Sequence, residues 1–157
     1  MKRLALAAAL MFATALPAAA QQVPGPYGPP VTLQHAERLI DAARAEAARR
    51  NFTMAFAVVD PAGELVSFEK MDGTQQASVD VAQAKARSSA RFRRPTKAWA
   101  DALTGGRMAI LAIEGAIPVE GGVPILGNGR VIGAIGVSGG SSIEDAEVAA
   151  VALRAAP

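Results

Sequence analysis

Met54–Lys70 reads MAFAVVDPAGELVSFEK and divides into two strand-like runs around a turn. MAFAVVD (54–60) and ELVSFEK (64–70) carry β-branched and aromatic residues, and Asp60-Pro61-Ala62-Gly63 between them joins a proline that pre-sets φ to a glycine that accepts positive φ. The stretch predicts a β-hairpin. A second one is expected nearer the C-terminus, where GVPIL (122–126) and RVIGAIGV (130–137) flank Gly127-Asn128-Gly129, since Asn-Gly is a preferred two-residue hairpin turn.

Helical patterns surround both hairpins. After Thr32, a candidate N-cap, Leu33, Ala36, Leu39, Ile40, Ala43 and Ala47 recur at three- and four-residue spacing, which predicts a first helix to about Arg50. Ser78 to about Phe92 is helical and meets Arg94-Pro95, where the residue before proline is biased away from the helical region. Thr96 is placed to cap a short helix carrying Trp99, which Gly105-Gly106 ends, and Ile143–Ala156 closes the chain as an alanine-rich helix. The order αββααββα describes an α+β domain: one antiparallel sheet built from two β-hairpins and covered by helices. No internal repeat and no second domain is visible.

The N-terminus has a different character. Lys2 and Arg3 precede an apolar run, Leu4–Leu16, and then Pro17 and Ala18-Ala19-Ala20, which is the layout of a secretory signal peptide spanning residues 1–20. The 13-residue run is short for a bilayer span, which needs about 20. Cleavage before Gln21 would leave a Pro/Gly-rich arm, residues 21–31, ahead of a single domain, residues 32–157, with no membrane insertion. The expected location is periplasmic or secreted. Without Lys2 and Arg3 the basic residues number 14 against 14 acids, so the mature chain is neutral and nothing calls for nucleic acid. The absence of cysteine removes disulfides, thiol nucleophiles and thiolate metal sites.

Gly136-Val137-Ser138-Gly139-Gly140 matches the nucleophile-elbow pattern G-x-S-x-G. The machinery around it is missing, because the single histidine, His35, precedes the serine whereas an α/β-hydrolase histidine follows it. The chain is also too short for the several βαβ units of that fold, at roughly 30 residues each. A strand turning sharply into a helix explains the glycines. No H-E-x-x-H or clustered His/Asp/Glu pattern supports zinc, and Met54, Met71 and Met108 read as packing residues.

AFAVVDPAGELVSFEKMDGT (55–74), VDVAQAKARSSARFRRPT (79–96), EGGVPIL (120–126) and GRVIGAIGVSGG (129–140) together resemble the GlcG/HbpS-like heme-binding family, and the same module resembles the C-terminal domain of PduO-type proteins. The resemblance runs over roughly Tyr27–Ala149. It implies an α+β fold, homo-oligomeric assembly and heme binding in some members, and it does not locate the iron contact.

The residues themselves offer two candidates for that contact. His35, near the start of the first helix, lies where the helix dipole disfavours imidazolium, and a neutral ring is what iron needs; an ordinary surface histidine would look the same. Tyr27, the only tyrosine, is either a tyrosinate ligand or a packing residue of the arm. Lys85, Arg87, Arg91, Arg93, Arg94 and Lys97 form a basic run, which reads as a solvated face or as the partner of an anion. Through the family-like motif KARSSARFRRPT, Arg91 and Arg94, then Lys85, are the expected propionate contacts, with Thr96 beside them. Glu120-Gly121-Gly122 and the turn around Ser138 offer backbone N–H groups to an anion, or serve only as tight connections. The expected function is an exported heme (tetrapyrrole)-binding protein for sequestration, storage or transfer. The alternatives are an enzyme or accessory subunit in heme degradation or small organic acid oxidation, for which no complete catalytic set is visible, and a structural subunit.

Overall fold

The structure, a computed structural model, describes residues 25–156. The expected signal peptide, Met1–Ala20, and the first residues of the arm lie outside the described residues. Nine elements follow in order: α1 (Leu33–Arg49), β1 (Ala55–Val59), β2 (Leu65–Lys70), α2 (Ala77–Phe92), α3 (Lys97–Thr104), a short 3-10 turn (Met108–Ala112), β3 (Gly122–Gly127), β4 (Arg130–Ser138) and α4 (Ser142–Ala155). The α+β order αββααββα is therefore observed, and the 3-10 turn is the one element without a counterpart in the sequence reading.

Both hairpins form. Asn128 and Gly129 adopt φ of 51° and 73°, the left-handed pair that a tight hairpin turn between β3 and β4 requires. β1 pairs antiparallel with β4, Ala57 lying opposite Gly136, and this joins the hairpins into one four-stranded sheet of order β2-β1-β4-β3. The arm adds a short parallel bridge, Tyr27 to Val131, beside the start of β4.

Residue size sorts the two faces of the sheet. Phe56, Val58, Ile135 and Val137 point to the side covered by α1 and α4, where they meet Leu39, Ile40 and Val148. Ala55, Ala57, Val59 and Ala134 point to the other side and meet Ala82, Ala86 and Ala90 of α2. Small residues on both surfaces bring α2 close to the strands. β1 is covered on both faces and fully buried, which is why AFAVV is a continuous apolar run and not an alternating one. Each fully buried Leu, Phe or Val of this core contributes about 1.5–3 kcal/mol relative to exposure.

The helix ends are fastened by side chains. Thr32 Oγ1 accepts from His35 N at 3.2 Å to start α1, and Ser141 with Glu144 makes a capping box at α4. Thr96 sits before α3 as expected, yet its hydroxyl does not cap that helix. At the far end of α1, Glu46 is nearly buried between Arg49 and Arg50, and Arg50 also reaches Glu147 of α4. Hydrogen bonds from Arg49 first and Arg50 second hold the Glu46 carboxyl down at about 2, against an ordinary value of 4.5. A depressed carboxylate stabilises the fold above its unfolded pKa, and that contribution is lost as pH falls from about 4.5 through about 2. Glu46→Gln is therefore expected to lower the urea midpoint at pH 7, with the gap to the parent protein closing as pH approaches 2. A gap independent of pH would show that Glu46 acts by packing alone.

Candidate functional site

The sequence candidates separate into an internal cluster and an outer surface. Lys85, Thr96, Gly121, Gly122 and Ser138 lie together between α2, α3, the start of β3 and the end of β4, with their polar groups paired inside the chain. Lys85 is 1% exposed, and its Nζ donates to Asp145 Oδ2 at 2.6 Å and to the Val137 carbonyl at 3.1 Å. Thr96 Oγ1 accepts from Gly122 N at 3.0 Å while Thr96 N donates to the Gly122 carbonyl at 2.9 Å. Gly121 holds φ 118°, and a Cβ there would come within 2.9 Å of Lys85 Nζ. The propionate role expected of Lys85 is thus replaced by an internal one: its charge sits on the buried stripe of α2 and is neutralised by Asp145. Burial pushes the Asp145 carboxyl above its ordinary range, against the pull of Lys85 and of the Gly140 and Gly139 N–H groups.

The glycine turn before α4 is likewise filled from within. Asp145 Oδ1 accepts from Gly140 N at 2.9 Å and Glu144 Oε2 from Ser141 N at 2.7 Å, so two of the chain's own carboxylates take the place an external anion would have at this helix start. Ser138 Oγ donates to Ser78 Oγ at 3.1 Å and is 4% exposed. No histidine stands beside it. His35 is engaged elsewhere, which agrees with reading the G-x-S-x-G run as a turn. Glu120 lies at the edge of the cluster, 3.6 Å from Lys97 Nζ.

The remaining candidates lie on the outer surface around the β3–β4 hairpin. A cleft of about 690 Å³ is bordered by Arg93, Arg94, Ala98, Pro124, Leu126 and Val131. Its walls are mostly apolar and its charged groups are two guanidiniums. Arg94 Cζ lies 4.9 Å from the centre of the Trp99 ring, and Phe92 meets the same ring edge-on at 5.0 Å. Trp99 Nε1 is buried and has no acceptor among the described residues. Arg91 turns away, its Nε donating to the Ala62 carbonyl at 2.7 Å in the β1–β2 turn. Tyr27 donates its hydroxyl to the Arg91 carbonyl at 2.7 Å and lies under Arg93, whose Cζ is 5.0 Å from the ring centre. Sequence reasoning had selected Arg91 rather than Arg93. Arg91 lies two positions earlier, where helical spacing already points it away from Arg93, and the left-handed turn at Arg93, φ 53°, then carries Arg94 to the same cleft.

His35 borders two smaller recesses of about 390 and 260 Å³; the second shares Pro124 and Leu126 with the arginine cleft. The three hollows are linked through lining residues, Pro124 and Leu126 between the first and third and His35 between the second and third, as a belt of separate recesses along β3 and its turn. His35 Nε2 lies 3.0 Å from the Ala156 carbonyl, and because a carbonyl only accepts, Nε2 bears the proton and a neutral ring keeps its lone pair on Nδ1. A tetrapyrrole carries a broad apolar ring and carboxylates. The belt supplies apolar walls, two arginines and an imidazole, and its main cleft falls within the usual 300–1,000 Å³ of ligand sites. The donor set fits such a group. Among the described residues there is no cluster of three or more His, Cys, Asp or Glu for a metal ion, and no helix is long and apolar enough to cross a membrane.

Residues 31–154 match a family model described as haem degrading protein HbpS-like. Protein GlcG of Escherichia coli K12 is 37% identical over 111 residues, covering 67% of this chain and 78% of GlcG. A crystal structure of a double mutant of HbpS from Streptomyces reticuli superposes with a TM-score of 0.75 at 27% identity, covering 90% of this chain and 97% of that one. The PduOC:heme complex shares the fold, with a TM-score of 0.73 at 22% identity over 80% of this chain and 94% of that one.

Proposed function

The chain belongs to the HbpS-like family, and from that premise we propose that it is an exported protein that binds heme or a related tetrapyrrole for sequestration, storage or transfer, working as a homo-oligomer. One observation carries the reading: a cleft with largely apolar walls has two arginines on its rim and adjoins a recess containing the only histidine. Apolar walls suit the macrocycle and guanidiniums suit its propionates. The heme named in the PduOC complex adds support at the level of the fold. The leader-like Met1–Ala20 supports export.

Within this reading His35 is the residue that would hold the iron, and the group bound there would supply the redox chemistry of iron. Ligation through Nε2 requires the ring to release the Ala156 carbonyl, whereas ligation through Nδ1 leaves that bond in place as the orienting contact. Titration of the mature protein with hemin is expected to give a saturable Soret shift. His35→Ala should alter the Soret position and spin state, since an axial ligand sets the electronic environment of the iron. An unaltered spectrum in His35→Ala moves the axial role to another residue, and no Soret shift in the parent protein removes the proposal.

The description of the matched family favours a second reading, heme degradation. It needs dioxygen and an external reductant such as ascorbate. Loss of the Soret band with those reagents, absent without protein, would favour it over storage.

A further inference from the structure

Arg93 and Arg94 are consecutive and half-buried, and neither is paired with a carboxylate among the described residues. In a continuing helix, neighbours point about 100° apart. Here α2 stops at Arg93, which holds φ 53° and ψ 41°, a left-handed conformation uncommon outside glycine and asparagine. The turn brings both guanidiniums to the border of the same cleft.

Each guanidinium is held by one N–H and one aromatic face. Arg93 Nη1 donates to the Gly25 carbonyl at 3.0 Å and its plane lies over Tyr27. Arg94 Nε donates to the Phe92 carbonyl at 3.2 Å and its plane lies over Trp99. Among the described residues, the remaining N–H groups of each have no acceptor and are available to a ligand. Two like charges beside apolar walls repel each other and lose hydration, and the chain spends a strained residue and two rings to keep them there. An anion with two negative groups relieves that arrangement.

We infer that Arg93 and Arg94 form a two-pronged clamp that selects ligands carrying two carboxylates, with Tyr27 and Trp99 as the platforms that hold the prongs. This rests on the heme-binding reading and adds a selectivity that does not depend on iron. It gives Tyr27 a positioning role in place of the iron-ligand role considered from the sequence, with its hydroxyl spent on the Arg91 carbonyl.

The test uses iron-free protoporphyrin IX and its dimethyl ester, followed by porphyrin fluorescence, so that axial ligation does not enter. The parent protein is expected to bind the diacid about tenfold or more tightly than the diester, as charge-assisted hydrogen bonds are lost on esterification. Arg93→Asn keeps a residue that tolerates the left-handed turn, and each of Arg93→Asn and Arg94→Gln should lose part of the preference. In the double variant diacid and diester should bind alike. Tyr27→Leu should weaken the diacid while leaving the diester unchanged. Equal affinity of the parent protein for diacid and diester, or a preference that survives in the double variant, overturns the clamp and leaves heme binding standing. Failure of the parent protein to bind either porphyrin removes both the clamp and the reading beneath it.

Discussion

Lys85→Met is expected to destabilise the protein by about 3–5 kcal/mol at pH 7, the usual cost of leaving one member of a buried ion pair alone. The methionine preserves much of the stem volume, so the loss comes from Asp145, a 2% exposed carboxylate that keeps the Gly140 N–H and loses its cation. Burial already raises the Asp145 carboxyl, and without Lys85 it should rise further. A raised carboxylate contributes stability below its unfolded pKa and loses it as pH climbs through the folded value. Lys85→Met should therefore be least unstable in mild acid and lose stability toward neutrality. Adding Asp145→Asn should recover much of the loss, because the amide oxygen can still accept from Gly140 N and no charge remains buried. Chemical denaturation from pH 4 to 8 reads all three outcomes. A Lys85→Met variant as stable as the parent at pH 7 would show that the pair contributes nothing net.

That pair marks where the sequence stopped being legible. Lys85 belongs to a run of bases that resembles a solvated face, and its partner is 60 positions away at the start of α4. A local signal did exist: Ser78, Ala82, Ala86 and Ser89 mark the buried stripe of α2, and Lys85 falls on it. A charge on a buried stripe must have a partner, though periodicity does not name it. The elements were readable because each rests on local chemistry, such as the Asn128-Gly129 turn, the Thr32 cap or the spacing of Ala36, Leu39, Ile40 and Ala43. The pairing of β1 with β4, which places the helices on opposite faces, depends on residues far apart in the chain.

The candidate residues were legible by type, and their placement in the fold was not. The basic run along α2 and its end suggested an anion as partner. Arg93 and Arg94 border the cleft, and the left-handed residue at the end of α2 is what brings that consecutive pair together there. Glycines that looked available to a ligand turned out to serve close packing, a distinction that composition cannot make because both uses require a missing side chain.

Gly136→Val puts that packing role to its hardest test. Gly136 lies on β4 beneath α2, where a Cβ would stand 2.6 Å from Ala86 N and closer still to the Ala82 carbonyl oxygen. Real carbon contacts are longer, so the helix or the strand must move, and β4 is held on both sides by β1 and β3. The helix is the part that can give way. Lifting α2 would loosen the contacts of Ala82, Ala86 and Ala90 with Ala55, Ala57 and Ala134, and would draw Lys85 from Asp145. Overpacking alone costs about 1–3 kcal/mol, and the coupled loss of the ion pair places this substitution above that range. The expected result is a protein that fails to accumulate in soluble form or melts far below the parent. Ala86→Gly should not rescue it, because the obstructing atoms belong to the backbone of α2. Gly136→Ala should be milder than valine and still clearly destabilising. A valine variant that melts within a few degrees of the parent, or one restored by Ala86→Gly, would mean that α2 is free to shift, and the close helix-to-sheet contact would then not be what requires glycine at this position.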